Sequence, residues 1–165
     1  MRDPFVEHLR HLYESSRAEL YMYALSITRH PQRAEDAVQT AFCAMLRTKR
    51  PPLELRPYVF RCVRNAALDA QARETRDAEV APLFDREAAP DPALPALMDD
   101  LLAQLHPDQR ETIVMKTYAG LTLREIAEAR EVSINTAASW YRRGLERLRE
   151  LMEEVPHGPD RKTTE

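Results

Sequence analysis

Asn135, Thr136, Ser139, Arg142 and Arg143 are all hydrogen-bonding types, and they fall on one side of an amphipathic stretch near the end of the chain. Amides and guanidinium forks can address base edges in a major groove, while hydroxyls and arginines also reach phosphates. Between them Ala137, Tyr141, Leu145 and Leu148 recur at steps of four, four and three, which is one helical stripe. Trp140 lies at the edge of that stripe, placed either to pack inward or to stack on a sugar or thymine methyl. The plainer alternative is an ordinary helical hairpin with a solvated face.

Two further sets have chemistry worth weighing. Arg61, Arg64 and Asn65 sit in a helical pattern that follows a loop opening on the basic pair Lys49 and Arg50. Asparagine is unfavourable inside a helix unless its amide has something to bind. Asn65 is therefore either a satisfied core amide or a nucleic-acid contact. Asp36, Gln39, Thr40 and Cys43 occupy the polar faces of a helix whose stripe includes Ala34, Ala37, Val38, Ala41, Phe42, Met45 and Leu46. By composition alone they are a solvated bundle edge.

Other chemistries find no support. Cys43 and Cys62 stand apart, so a disulfide framework is not expected and a reducing cytoplasm is the simpler setting. His8 and His11 can share a helix face but lack a third ligand, so no metal site is expected. Gly120, Gly144 and Gly158 are the only glycines, which leaves no phosphate-cradling loop. No nucleophile–base set stands out, and neither an enzyme nor a cofactor is expected. The N-terminus reads as lacking a signal peptide, and no apolar run approaches the length of a membrane span.

The elements that must position these residues are all helical. Thr122 and Glu125 form a capping-box pattern, and Ser133 is a good N-cap. Only Arg130, Glu131 and Val132 separate the two helices that follow them, as in a helix-turn-helix. From Pro4 to about His30 the apolar residues keep helical spacing, and Ser15-Ser16 offers a division into two helices. His30-Pro31 breaks the pattern, and Pro31 can open the next helix. Pro51, Pro52 and Pro57 make 48–57 a loop, with a helix beginning near Pro57. Helices resume around Leu97–Leu105 and Asp108–Tyr118, with Gly120 as a C-cap candidate.

The chain of 165 residues suits one domain or two small ones, and its net charge of −3 argues against nonspecific coating of DNA. The charge is uneven: a basic stretch over 47–77 precedes an acidic, proline-rich one. The expected organisation is all-α, with two small helical bundles joined by a flexible linker. A first domain covers 1–76, an acidic linker 77–95, a helix-turn-helix domain 96–154 and a disordered tail 155–165. Leu83 and Phe84 are the linker's bulky pair, available to dock elsewhere.

Three ordered segments resemble a minimal bacterial RNA polymerase sigma factor of the extracytoplasmic-function group. AEDAVQTAFCAML is similar to that family's polymerase-binding helix, YVFRCVRNAALD to its promoter-melting helix, and the stretch from His106 to Arg149 to its C-terminal domain. The resemblance implies a promoter-specificity subunit that binds the clamp helices and flap of core polymerase and promoter DNA, with an anti-sigma factor as a further partner and no membrane insertion. It implies polymerase docking by Asp36, Gln39, Thr40, Phe42 and Cys43. Phe42 reads mostly as core, so Asp36 and Gln39 are expected to make the contacts. It also implies minus-ten binding by Asn65, Arg61, Arg64, Lys49 and Arg50, with Asn65 holding a flipped base. Minus-thirty-five binding falls to Asn135, Thr136, Ser139, Trp140, Arg142 and Arg143.

There are departures from the family pattern. Thr40 replaces a common acid, Ala138 and Trp140 replace frequent basic residues, and Tyr58 stands where tryptophan is usual. Weakened upstream binding is the expectation. Two other readings compete: a stand-alone helix-turn-helix regulator, which would need a sensing domain in front, and a sigma-like protein that only sequesters a partner.

Overall fold

Three of the helices open on the same dipeptide logic, a capping residue followed by proline. Asp3-Pro4, His30-Pro31 and His106-Pro107 start α1 (Pro4–Thr28), α2 (Pro31–Leu46) and α5 (Pro107–Thr117). Each cap side chain accepts a free amide of the first turn, while proline occupies a position where no amide is needed. The other helices are α3 (Leu55–Ala72), α4 (Ala93–Ala103), α6 (Leu123–Arg130) and α7 (Ile134–Glu154). This is a computed structural model, and it describes residues 3–73, 83 and 93–155. Among the described residues there is no strand, as the helical periodicities predict.

Helices α1, α2 and α3 pack on one another as a first bundle. Their core holds Leu9, Leu20, Tyr23, Met45, Phe60 and Val63, with the Tyr23 and Phe60 rings 5.5 Å apart. Helix α1 is continuous, contrary to the division offered by Ser15-Ser16. Leu9 and Leu20 are both buried and lie about three turns apart, so one face must be held in register throughout. The serines cost only about 0.5 kcal/mol each in helix propensity. Ser15 returns its hydroxyl to the Leu12 carbonyl at 3.3 Å.

The second bundle packs α5, α6 and α7 together, with α4 against α7. The capping box is complete: Glu125 N donates to the Thr122 hydroxyl at 3.1 Å and Thr122 N to the Glu125 carboxylate at 2.8 Å. Glu131 ends α6 in the left-handed region at φ 55, letting the chain turn within two residues to the Ser133 cap of α7. Gly120, at φ 65, performs the same reversal after α5.

The buried line of α7 departs from the apolar stripe read off the sequence. It runs through Ala137, Gly144, Leu148 and Leu151, while Leu145 is 42% exposed. Gly144 lies so close to α5 that a Cβ there would sit 2.7 Å from Ile113 Cδ1 and 3.2 Å from Gln109 Cβ. Gly144→Val should therefore destabilise the chain by about 1–3 kcal/mol through overpacking. The check is urea unfolding, where the midpoint should fall with the slope unchanged.

The bundles do not stand apart. Helix α3 packs on α6 and α1 on α5. Leu83 is buried, and its amide donates to Asp99 Oδ1 at 2.6 Å, so this linker residue docks. Phe84 and most of the expected linker and tail lie outside the described residues.

Candidate nucleic-acid interface

The helix-turn-helix sets α7 with Asn135, Arg142 and Arg143 exposed. None of these three side chains has a partner among the described residues, so their hydrogen-bonding capacity is open to a ligand. Thr136 and Ser139 are half-buried. Thr136 is partly committed, since its amide donates to the Ser133 hydroxyl at 3.1 Å and the two hydroxyls share a 2.9 Å bond. The amides and dipole at the start of α7 favour an anion there. Trp140 is half-buried, with the Arg130 guanidinium 4.7 Å from its ring centroid. That contact offsets the lack of a hydrogen-bond partner at Arg130 Nε. Of its two expected placements, the ring takes the packed one in this structure.

On α2, Asp36, Gln39, Thr40 and Cys43 are exposed and Phe42 is buried, with the Tyr13 ring edge-on to Phe42 at 4.9 Å. The separation of polar face from core is the one the periodicity predicts as far as Met45, but Leu46, at the helix end, leaves the stripe and is 56% exposed. Gln39, Phe42, Cys43 and Leu46 also line a groove with Val6 and Tyr13 of α1. Cys43 and Cys62 are both unpaired, and burial pushes the Cys62 thiol up.

Asn65 is exposed on α3 with no side-chain partner among the described residues, which removes the reading of a satisfied core amide. Lys49 and Arg50 are likewise exposed in the preceding loop. Arg61 and Arg64 are engaged, however. Arg61 donates to the Glu128 carbonyl at 2.6 Å and faces the Glu131 carboxylate at 3.6 Å. Arg64 Nε donates to Glu111 Oε2 at 2.8 Å.

Glu111 is the centre of a group that the sequence reading did not single out. Its carboxylate also accepts the Tyr23 hydroxyl at 2.9 Å and lies 3.4 Å from Arg130 Nη1, which makes it common to both bundles. Arg130 in turn donates to Asp108 at 2.5 Å. Burial, reinforced by Glu111, pushes the Tyr23 phenol well above its ordinary value, so it stays a neutral donor. Burial opposes the charge on Arg64, but Glu111 more than restores it and leaves the guanidinium raised. The available signal was an acid on the buried face of α5, one helical turn before Met115, which is fully buried. A buried carboxylate requires partners, but nothing local identifies them.

The arrangement pairs one helix bearing exposed amide and guanidinium side chains, α7, with one exposed amide beside basic side chains on α3. Among the described residues no group of three or more His, Cys, Asp or Glu side chains is placed to hold a metal ion. No helix there is long and apolar enough to cross a membrane.

Comparison with known proteins accounts for both halves. Sigma-70 region 2 matches residues 12–77 and Sigma-70 region 4 matches residues 96–148. The chain is 30% identical to RNA polymerase sigma factor CarQ of Myxococcus xanthus over 164 residues, covering 93% of this chain and 94% of that protein. It is 28% identical to the ECF RNA polymerase sigma factor SigL of Mycobacterium tuberculosis, covering 89% and 90%. Among solved structures the fold is shared with CnrH in complex with the cytosolic domain of CnrY, at TM-score 0.69 and 22% identity over 90% of this chain and 89% of that one. It is shared also with the sigma factor RpoE in complex with the anti-sigma factor NepR from Bartonella quintana, at TM-score 0.70 and 23% identity over 91% and 99%. Two helical bundles, the second with a helix-turn-helix, and relatives that match both along nearly their whole length lead to one conclusion: this chain belongs to the extracytoplasmic-function sigma factors of RNA polymerase.

Proposed function

We propose that this sigma factor divides promoter recognition between its bundles. Asp36 and Gln39 of α2 dock on the clamp helices of core polymerase, with Thr40 and Cys43 at the margin and Phe42 supporting them from the core. Asn65 holds a base extruded from the minus-ten element, and Lys49, Arg50, Arg61 and Arg64 carry the backbone of the melted strand. Helix α7 reads the minus-thirty-five duplex through Asn135, Ser139, Arg142 and Arg143. Thr136 holds the helix start, and Trp140 supports the face from behind.

The observation that carries this reading is the exposure of Asp36, Gln39, Asn65, Arg142 and Arg143 on one chain, each on an element whose opposite side is buried. The chain contributes no bond-making step; polymerase supplies it, in the cytoplasm. With a net charge of −3, the free chain binds DNA no better than about 10⁻⁴–10⁻⁶ M without polymerase. An anti-sigma factor belongs to the same reading, supported by the shared fold with RpoE, whose structure holds one.

Arg143→Ala tests the upstream half. In holoenzyme it should cost about 1–3 kcal/mol of upstream binding and relax specificity at one base pair. Competition binding across single-base promoter variants reads this. A uniform loss with a shallower salt dependence would move Arg143 to a phosphate contact.

A further inference from the structure

Ile134 is the first residue of α7, and the start of that helix is held without it. The Ser133 hydroxyl accepts the Thr136 amide at 3.1 Å. Val132 and Ala137 fill the two positions of a hydrophobic staple, one packed against the core and one buried in it. The Val132 amide closes the turn by donating to the Ala127 carbonyl at 2.9 Å. Ile134 is left 51% exposed. Branching at Cβ also makes isoleucine a poorer helix former than alanine, so local structure gives no reason for it.

Its neighbours on the helix surface give one. Successive residues are turned by roughly 100°, so Ile134 borders Asn135, and one turn on, four residues away, it meets Ala138. Arg142 continues the same edge after another four residues. Ile134 and the half-buried Ala138 thus form a short apolar strip bordered by an exposed amide and an exposed guanidinium. Amides and guanidinium groups address the polar groups of base edges. The one apolar group that a major groove offers is the thymine C5 methyl. The first residues of a recognition helix are those that reach base edges.

We propose that Ile134 reads the methyl group of a thymine in the minus-thirty-five element, with Ala138 completing the apolar contact. The inference rests on the assignment of α7 to that duplex and adds a specificity residue to it. The branched side chain is stiff at χ1, so little rotamer freedom is lost when it meets the methyl. Cytosine in the same place would present its N4 amino group to a side chain that cannot accept a hydrogen bond. Leaving that donor without a partner penalises the wrong base pair, while the methyl contact favours the right one.

The test uses holoenzyme assembled from purified core polymerase and the full chain. That holoenzyme first selects a promoter duplex from a pool randomised across the upstream element. Each upstream thymine is then replaced in turn by deoxyuridine, which removes the methyl and keeps every hydrogen-bonding group. Competition binding of the closed complex reads the affinity. In wild type one replacement should weaken binding about fourfold, the worth of a methyl withdrawn from water. Ile134→Ala should lose the distinction at that position and keep the wild-type response at every other base pair. Ile134→Val, still branched and apolar, should retain the distinction. The proposal is overturned by a selected element without thymine, by wild-type binding indifferent to every replacement, or by Ile134→Ala keeping the distinction. A wild-type holoenzyme that selects no upstream sequence overturns the assignment of α7 as well. Upstream selection that is blind to the methyl overturns the role of Ile134 alone.

Discussion

Replacing Asp36 and Gln39 together by alanine should abolish association with core polymerase while leaving the chain folded. Both side chains are exposed, and the one hydrogen bond at stake is that from Gln32 to Asp36 at 3.0 Å. Surface changes of this kind usually move stability by no more than about 0.5 kcal/mol. Alanine is also the best helix former, which works in favour of α2. Hot-spot residues near the centre of an interface cost about 2 kcal/mol or more each when truncated. Two of them amount to a loss of roughly a thousandfold if they add. Fluorescence anisotropy with labelled chain and purified core polymerase measures it, with a thermal melt as the control for folding. Retained binding would move the docking site away from these residues, toward the α1–α2 groove around Leu46.

Asn65→Ala should impair promoter opening more than closed-complex formation. The amide is exposed, so its removal strands no buried group and the fold should be unaffected. Extruding a base costs a few kcal/mol of stacking and pairing. Hydrogen bonds to the edge of the flipped base contribute about 1–3 kcal/mol by analogy with base readout. Opening should therefore fall by about five- to 150-fold. Permanganate reactivity of unpaired thymines reports opening, and footprinting reports the closed complex. Equal losses at both steps would count against capture of a base by Asn65.

Much of the architecture was legible because it is local. Capping chemistry at Thr122, Glu125 and Ser133, the proline that opens α2, and the stripe that separates Phe42 from Gln39 are all written within a turn or two. The errors have equally physical causes. Ser15-Ser16 reads as a break because propensity is local, whereas the tertiary register from Leu9 to Leu20 that keeps α1 continuous is not. Leucine's hydrophobic signal places Leu145 on the apolar stripe, yet it is 42% exposed. The true contact line passes through Gly144, which carries none, because α5 approaches too closely for a side chain. The charged contact between the bundles is not visible in the sequence for a different reason. Tyr23, Arg64, Glu111 and Arg130 come from four helices, and pairings at such distances leave no periodic trace.

The docked Leu83 has a consequence for how strong the contact between the bundles must be. A chain joining Arg73 to Ala93 without an anchor could span at most roughly 65 Å, and it would hold the bundles at an effective concentration in the millimolar range. Holding Leu83 to Asp99 of α4 leaves about half that length of chain between the bundles, and a shorter connection costs less entropy to close. The bundles are thereby offered to each other at a higher local concentration, so contacts too weak to join separate chains can still hold these two bundles together. Release of a single leucine would lower that concentration without breaking an ion pair. The packing of the bundles is thus set by the tether as well as by the charged pairs between them.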